Sequence, residues 1–204
     1  MTDPAHPLSD GLPVLSPSAR ATRLAAFHAL LRGRAADLAD LAASTGLSPA
    51  ATRAAVGEML AVGLGQVDGG RVTGAAGLST APTRHRLSLG GQALHTWCAY
   101  DAIGIPAALG QDAVVVTECG HCRATIEITI SAGVPPAGTA TVGWWPIGPC
   151  ANAVEQFCPA ANLFCHADHL TCWRRSTGVL DGRPATLADL AEQGRRDWAS
   201  VRAG

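Results

Sequence analysis

The sequence predicts an α+β protein: an N-terminal winged helix-turn-helix-like helical domain, followed by a mixed α/β cysteine-rich domain. Three observations carry this. All seven cysteines fall between Cys98 and Cys172, a composition shift that sets a boundary near residues 80–90. The first half repeats apolar residues at helical spacing between capping residues, whereas the second mixes strand-like alternation with helical runs. The 204 residues, 48% hydrophobic and 15% charged, suffice to bury a substantial core.

Residues 1–17 hold four prolines and no helical period, which predicts a flexible arm. From Arg20 the apolar residues Leu24, Phe27, Leu30 and Leu31 form one stripe that ends before Gly33. A second helix is expected over 36–44 through Leu38 and Leu41, stopping at Thr45-Gly46-Leu47. Ser48 then caps a third, with Pro49 at its first position, reaching about residue 62 on Val56, Met59 and Leu60. Two short β pieces, 65–67 and 71–73, turn on Asp68-Gly69-Gly70. Three helices and a hairpin are the outline of a winged helix over 18–83.

The remainder, 84–204, forms the second domain. His85-Arg86-Leu87-Ser88-Leu89 alternates like a strand, Gly90-Gly91 breaks it, and a helical pattern then carries Trp97, Cys98 and Asp101 before Pro106. Residues 113–117 and 124–130 read as strands joined by Glu118-Cys119-Gly120-His121-Cys122, and 139–145 as another. Helices are expected near 162–173 and from Thr186, as N-cap, to about 202.

Composition excludes several function classes. No apolar run reaches the ~18 residues of a membrane span, and the N-terminus lacks the basic and apolar regions of a secretion signal. All 15 basic residues are arginine, a pattern of GC-rich coding, and the net charge is −1. Residues 1–89 hold eight arginines against six acids, and Arg53 and Glu58 cancel on the would-be recognition helix, so specific DNA binding is not expected. An odd number of cysteines without a signal peptide points to thiols in a reducing cytoplasm, serving metal binding or catalysis.

Cys119-x-x-Cys122, enclosing His121, suits a zinc knuckle, a redox dithiol or an ordinary turn. No second C-x-x-C follows. The chain offers Cys158, Cys165, His166, His169 and Cys172, of which Cys165 and His169 share a helix face at i and i+4. Cys150 and Cys172 read as buried, unliganded thiols. Trp97-Cys98-Ala99-Tyr100-Asp101 is more informative. On a helix Cys98 and Asp101 meet at i and i+3, and a buried carboxyl beside a thiol makes sense where a proton moves between them. An Asp capping a turn beside a small buried Cys is the structural alternative.

The run from Trp97 to Gly110, WCAYDAIGIPAALG, closely resembles the signature helix of the alkylmercury (organomercurial) lyases. So do Gln156-Phe157-Cys158, Asn162-Leu163-Phe164-Cys165 and His169-Leu170 with Trp173. The helical front domain matches the family's usual one, so the resemblance spans nearly the whole chain and makes 84–204 a lyase-like catalytic domain. It implies Cys98, Asp101 and Cys158 as catalytic residues and as the ligands of substrate and product mercury, with Cys119 structural. Where some members carry Cys-His-Val-His after the second catalytic cysteine, this chain has Pro159-Ala160-Ala161-Asn162.

The residue types suit that chemistry. Mercury(II) is soft and prefers thiolates, two thiolates push electron density onto the bound carbon, and a carboxyl can relay the thiol's proton to it. Trp97 and its apolar neighbours would form a dry pocket. No organic cofactor is required, Hg(II) is the bound product, and reduced thiols are needed for turnover. The family resemblance implies an organomercurial substrate and a mercuric reductase as Hg(II) acceptor. Two other readings use the same residues: a thiol-based metal-sensing winged-helix repressor, and a zinc-stabilised interaction module.

Overall fold

A computed structural model describes residues 14–177 and 181–203, so the first thirteen residues of the expected arm lie outside the described residues. The chain builds a mixed α/β fold. Helix α1 (Pro17–Leu31) begins where Ser16 accepts a bond from the Ala19 N–H and Pro17 occupies the first turn. Helix α2 (Leu38–Thr45) ends on Gly46, whose φ of 69° gives the left-handed cap. Helix α3 (Pro49–Ala61) starts from Ser48, as the sequence predicts. Phe27 and Leu30 of α1 pack into one core with Val56 and Met59 of α3.

A seven-stranded antiparallel sheet follows, in the order β1-β2-β3-β5-β4-β6-β7. Its strands are β1 (Gly65–Asp68), β2 (Arg71–Ala75), β3 (Leu78–Ser79), β4 (Arg86–Leu89), β5 (Gln92–Thr96), β6 (Ala113–Glu118) and β7 (Thr125–Ile130). The hairpin after α3 is thus continuous, through β3 and β5, with the strands of the second half. Burial alternates strictly along β7, as expected of a sheet with one covered face. A smaller sheet, β10-β8-β9, comprises β8 (Val142–Pro146), β9 (Leu163–Phe164) and β10 (Gly182–Ala185).

Helix α4 (Ala99–Leu109) is buried on every side from Ala99 to Ala108 and crosses α6 (Leu187–Asp197) at two glycines. A Cβ on Gly194 would lie 2.2 Å from the Gly104 Cα, so glycine is required there for the helices to approach. Helix α5 (Ala167–Thr177) covers the small sheet, with Trp173 against Trp144 and Phe164.

Four local expectations differ from the structure. Gly90-Gly91 does not end a strand before a helix. Both residues have positive φ and form a two-residue hairpin turn, so 92–96 returns as β5. The helix expected from 162 starts at Ala167, because Leu163 and Phe164 pair with β8. Cys172 is exposed on α5, whereas Cys150 is buried as predicted. The helix capped by Thr186 forms as expected, but passes into a 3₁₀ turn at Ala199–Ala203.

Candidate active site

Cys98 sits at the junction of β5 and α4. It is the N-cap of α4 (φ −144°, ψ 172°) and not a residue on its face. Asp101, at the third helical position, reaches back and accepts from the Cys98 N–H at 3.0 Å and from its thiol at 3.1 Å. The i, i+3 pairing therefore holds, but by capping geometry and not by a shared helix face. The Cys98 carbonyl in turn accepts from Thr96 Oγ1 at 2.9 Å, so the Cys98 backbone is tethered at both its N–H and its carbonyl.

Cys158 arrives from a different part of the chain. A π-helical turn, Ala153–Phe157, is opened by Asn152, which accepts from the Glu155 N–H, and Cys158 caps its end by donating to the Ala153 carbonyl at 2.9 Å. Such wide turns are rare and occur frequently at functional sites. The Ala99 N–H donates to the Ala161 carbonyl at 3.2 Å, so the start of α4 and the segment after Cys158 are joined through their backbones. One ligand atom from each of Cys98, Asp101 and Cys158 lies within 4.8 Å of the other two, and all three residues are buried. The structure brings the three predicted residues together.

Asp101 and Cys158 face a cavity of about 310 Å³ walled by Trp97, Tyr100, Phe157 and Trp198. Tyr100 packs edge-on against Trp145 at 4.7 Å and lies 5.2 Å from Trp198. Its hydroxyl donates to Asp197 at 2.6 Å, and the Trp198 N–H donates to the Ala76 carbonyl at 2.8 Å. The polar groups of Tyr100 and Trp198 are thereby satisfied. Trp97, expected to dry the pocket, does line it, with its indole N–H on Gln66 at 2.9 Å.

Burial dominates the electrostatics. It raises Asp101 to about 7, with Asp197 adding to the rise while hydrogen bonds from Cys98 and the charge of Arg23 oppose it. Burial also pushes the Cys98 thiol well up, helped by its contact with Cys158 and by the Asp101 charge. The resting arrangement is a protonated thiol donating to a carboxylate poised near neutrality. Such a pair can ionise the thiol when a soft cation arrives, hold its proton on the carboxyl, and deliver that proton nearby.

Several contributors have no local sequence signal. Arg23 reaches the cavity from α1, and Asp197 and Trp198 from the end of α6, more than 90 residues from Asp101. Gly77 has φ of 90° and lies against the Asp101 carboxyl, where a Cβ would come within 2.7 Å of Oδ1. Arg84 donates to Asn162 Oδ1 and, at 3.1 Å, to the His85 ring. Burial and that guanidinium push His85 down to about 3, so it is a neutral structural histidine. Of the remaining thiols, Cys119, Cys122 and Cys165 gather with His169 in a separate cluster.

Comparison with known proteins places this geometry in context. The family model described as alkylmercury lyase (MerB) matches residues 78–199. An alkylmercury lyase of Streptomyces lividans is 32% identical over 130 residues, covering 62% of this chain and 59% of that protein. One of Staphylococcus epidermidis is 28% identical over 139 residues, covering 66% and 62%. The chain thus matches about three fifths of the length of these two relatives. The fold is also that of a solved structure titled the mercury-bound form of MerB2, with a TM-score of 0.83 and 24% identity over 96% of this chain and 95% of that one. With a match spanning more than half of the sequence and enclosing Cys98, Asp101 and Cys158, the chain belongs to the alkylmercury lyase family.

Proposed function

We propose that this protein protonolyses carbon–mercury bonds of alkyl- and arylmercury compounds, releasing hydrocarbon and Hg(II). The observation that carries the reading is the convergence of two buried thiols and a buried carboxyl within 4.8 Å at an aromatic-walled cavity. An isolated buried carboxylate is costly, and one raised to about 7 is matched to proton transfer at neutral pH.

In the proposed sequence the Cys98 thiol gives its proton to Asp101, and the thiolate binds the mercury of R–Hg⁺. Cys158 adds as the second thiolate, its proton passing to solvent. The C–Hg electron pair then takes the proton held on Asp101, forming RH and leaving Hg(II) on the two sulfurs. No electron is gained or lost overall. Two external thiols, or the dithiol of a mercuric reductase, exchange onto the metal and return both cysteines to the protonated state. The aromatic wall accommodates the organic group and excludes water, which strengthens the local electrostatics.

We further read 18–83 as a winged-helix-like packing module and 84–204 as the catalytic domain, in a cytoplasmic protein. The three helices and the β1–β2 hairpin support the first part, and the approach of Arg23 to the cavity supports packing over DNA binding. Among the described residues no helix is long and apolar enough to cross a membrane. Incubating reduced protein with phenylmercury and following benzene release tests the function. Catalytic release is expected, and stoichiometric mercury uptake without benzene would refute it.

A further inference from the structure

Outside the proposed active site the structure gathers a second set of metal-ligating atoms. Cys119 and Cys122 sit on the turn between β6 and β7, Cys165 follows β9, and His169 lies in the first turn of α5. One ligand atom from each falls within 4.8 Å of the other three. Cys122 Sγ and Cys165 Sγ are 3.8 Å apart, and Cys119 Sγ and His169 Nδ1 are 3.5 Å apart. A tetrahedral zinc with Zn–S of about 2.3 Å and Zn–N of about 2.0–2.1 Å sets its sulfurs about 3.8 Å apart and S and N about 3.6 Å apart. The two measured pairs have those separations, and a Cys122–Cys165 disulfide would need about 2.05 Å.

We infer that Cys119, Cys122, Cys165 and His169 form a structural zinc site that clamps the β6–β7 turn to the β9–α5 turn. The backbone is arranged for it. The Cys119 N–H donates to the Ala124 carbonyl at 2.8 Å and the Arg123 N–H to the Cys119 carbonyl at 3.1 Å, with Arg123 at φ 64°, which curls the turn around the Cys119 sulfur. His169 is held in place by the His166 ring, 3.9 Å away between centroids. The C-x₂-C plus C-x₃-H spacing falls within the range of structural zinc sites.

Three thiolates and one neutral imidazole leave no open position, so the site is closed to substrate and serves architecture. Binding Zn²⁺ expels whichever protons remain on the three thiols, with no redox change. The clamp acts next to the active site. The Gly120 N–H donates to the Leu163 carbonyl at 2.9 Å, five residues beyond Cys158, so fixing this turn fixes the segment that carries the second thiol.

Metal analysis of tag-free protein purified under reducing conditions tests the inference without any organomercurial. One zinc per chain is expected, retained by Cys98→Ser and lost by Cys122→Ser and Cys165→Ser. Competition with a zinc indicator should show the two variants weakened by more than the roughly 10–100-fold that an outer-shell partner costs. Cobalt(II) added to stripped parent protein should give tetrahedral d–d bands and thiolate charge transfer, a readout that needs no variant to fold. Chelation should lower the parent Tm, and zinc should restore it. Parent protein that takes up no zinc or cobalt, or zinc lost with Cys98→Ser but kept by Cys122→Ser, would each overturn the assignment.

Discussion

Replacing Asp101 with asparagine keeps the shape of the side chain and an oxygen that accepts from the Cys98 N–H, but removes the charge and the capacity to carry a proton. In the folded protein burial lifts the carboxyl from about 3.9 to about 7. Between those values the folded state holds a proton that the unfolded chain has released, so stability falls as pH rises through this window. Integrating from pH 5 to pH 8 gives a loss of about 2–3 kcal/mol in the parent that the asparagine variant does not share. The cost or gain of packing the new amide is the same at both pH values. The groups common to both proteins, among them the neutral His85, cancel. Urea unfolding of parent and variant at pH 5 and pH 8, reduced and mercury-free, therefore isolates the ionisation. The variant's stability relative to the parent should be higher at pH 8 than at pH 5 by that amount. Cleavage should move the other way: phenylmercury uptake persists while benzene release drops by on the order of 10²–10⁴-fold. A stability difference independent of pH would refute the raised carboxyl, and cleavage at the parent rate would refute the proton relay.

Cys98→Ser should abolish benzene release, because a hydroxyl neither ionises readily nor binds soft mercury, whereas Cys172→Ser, altering an exposed thiol on α5, should leave it at the parent rate; equal loss in both would remove the assignment. Gly77→Ala forces a side chain onto a φ of 90° and against the Asp101 carboxyl, and should cost on the order of 1–3 kcal/mol in urea unfolding together with a reduced cleavage rate. Parent values for both quantities would show that Gly77 does not position Asp101. Duplex DNA should bind weakly, without sequence preference, and dissociate at moderate salt. A salt-resistant, sequence-specific complex released by mercury would favour a metal-sensing repressor.

Local chemistry made much of this protein legible in its sequence. Ser48-Pro49 and Thr186 set helix starts, Asp68-Gly69-Gly70 set a hairpin, and the three-residue spacing of Cys98 and Asp101 set their contact, because each is an interaction within one turn of chain. The second thiol was available only through the resemblance of Phe157-Cys158 to a family motif, since no spacing rule relates residues 60 apart. Gly90-Gly91 shows the limit of local reading: a break in hydrophobic pattern looks the same before a helix as in a hairpin, and pairing of β4 with β5 selects the hairpin.

Tertiary structure alone decided the rest. It closed one sheet across both halves of the chain, brought Arg23 and Trp198 from opposite ends to one cavity, and set Gly77 against the Asp101 carboxyl. It also joined a C-x-x-C turn to Cys165 and His169, more than 40 residues on, into a four-ligand cluster. The physical reason is common to all of these. Sequence records the preferences of neighbours along the chain, whereas burial, the pKa of Asp101 and the meeting of distant thiols depend on which surfaces exclude water together, and folding fixes that.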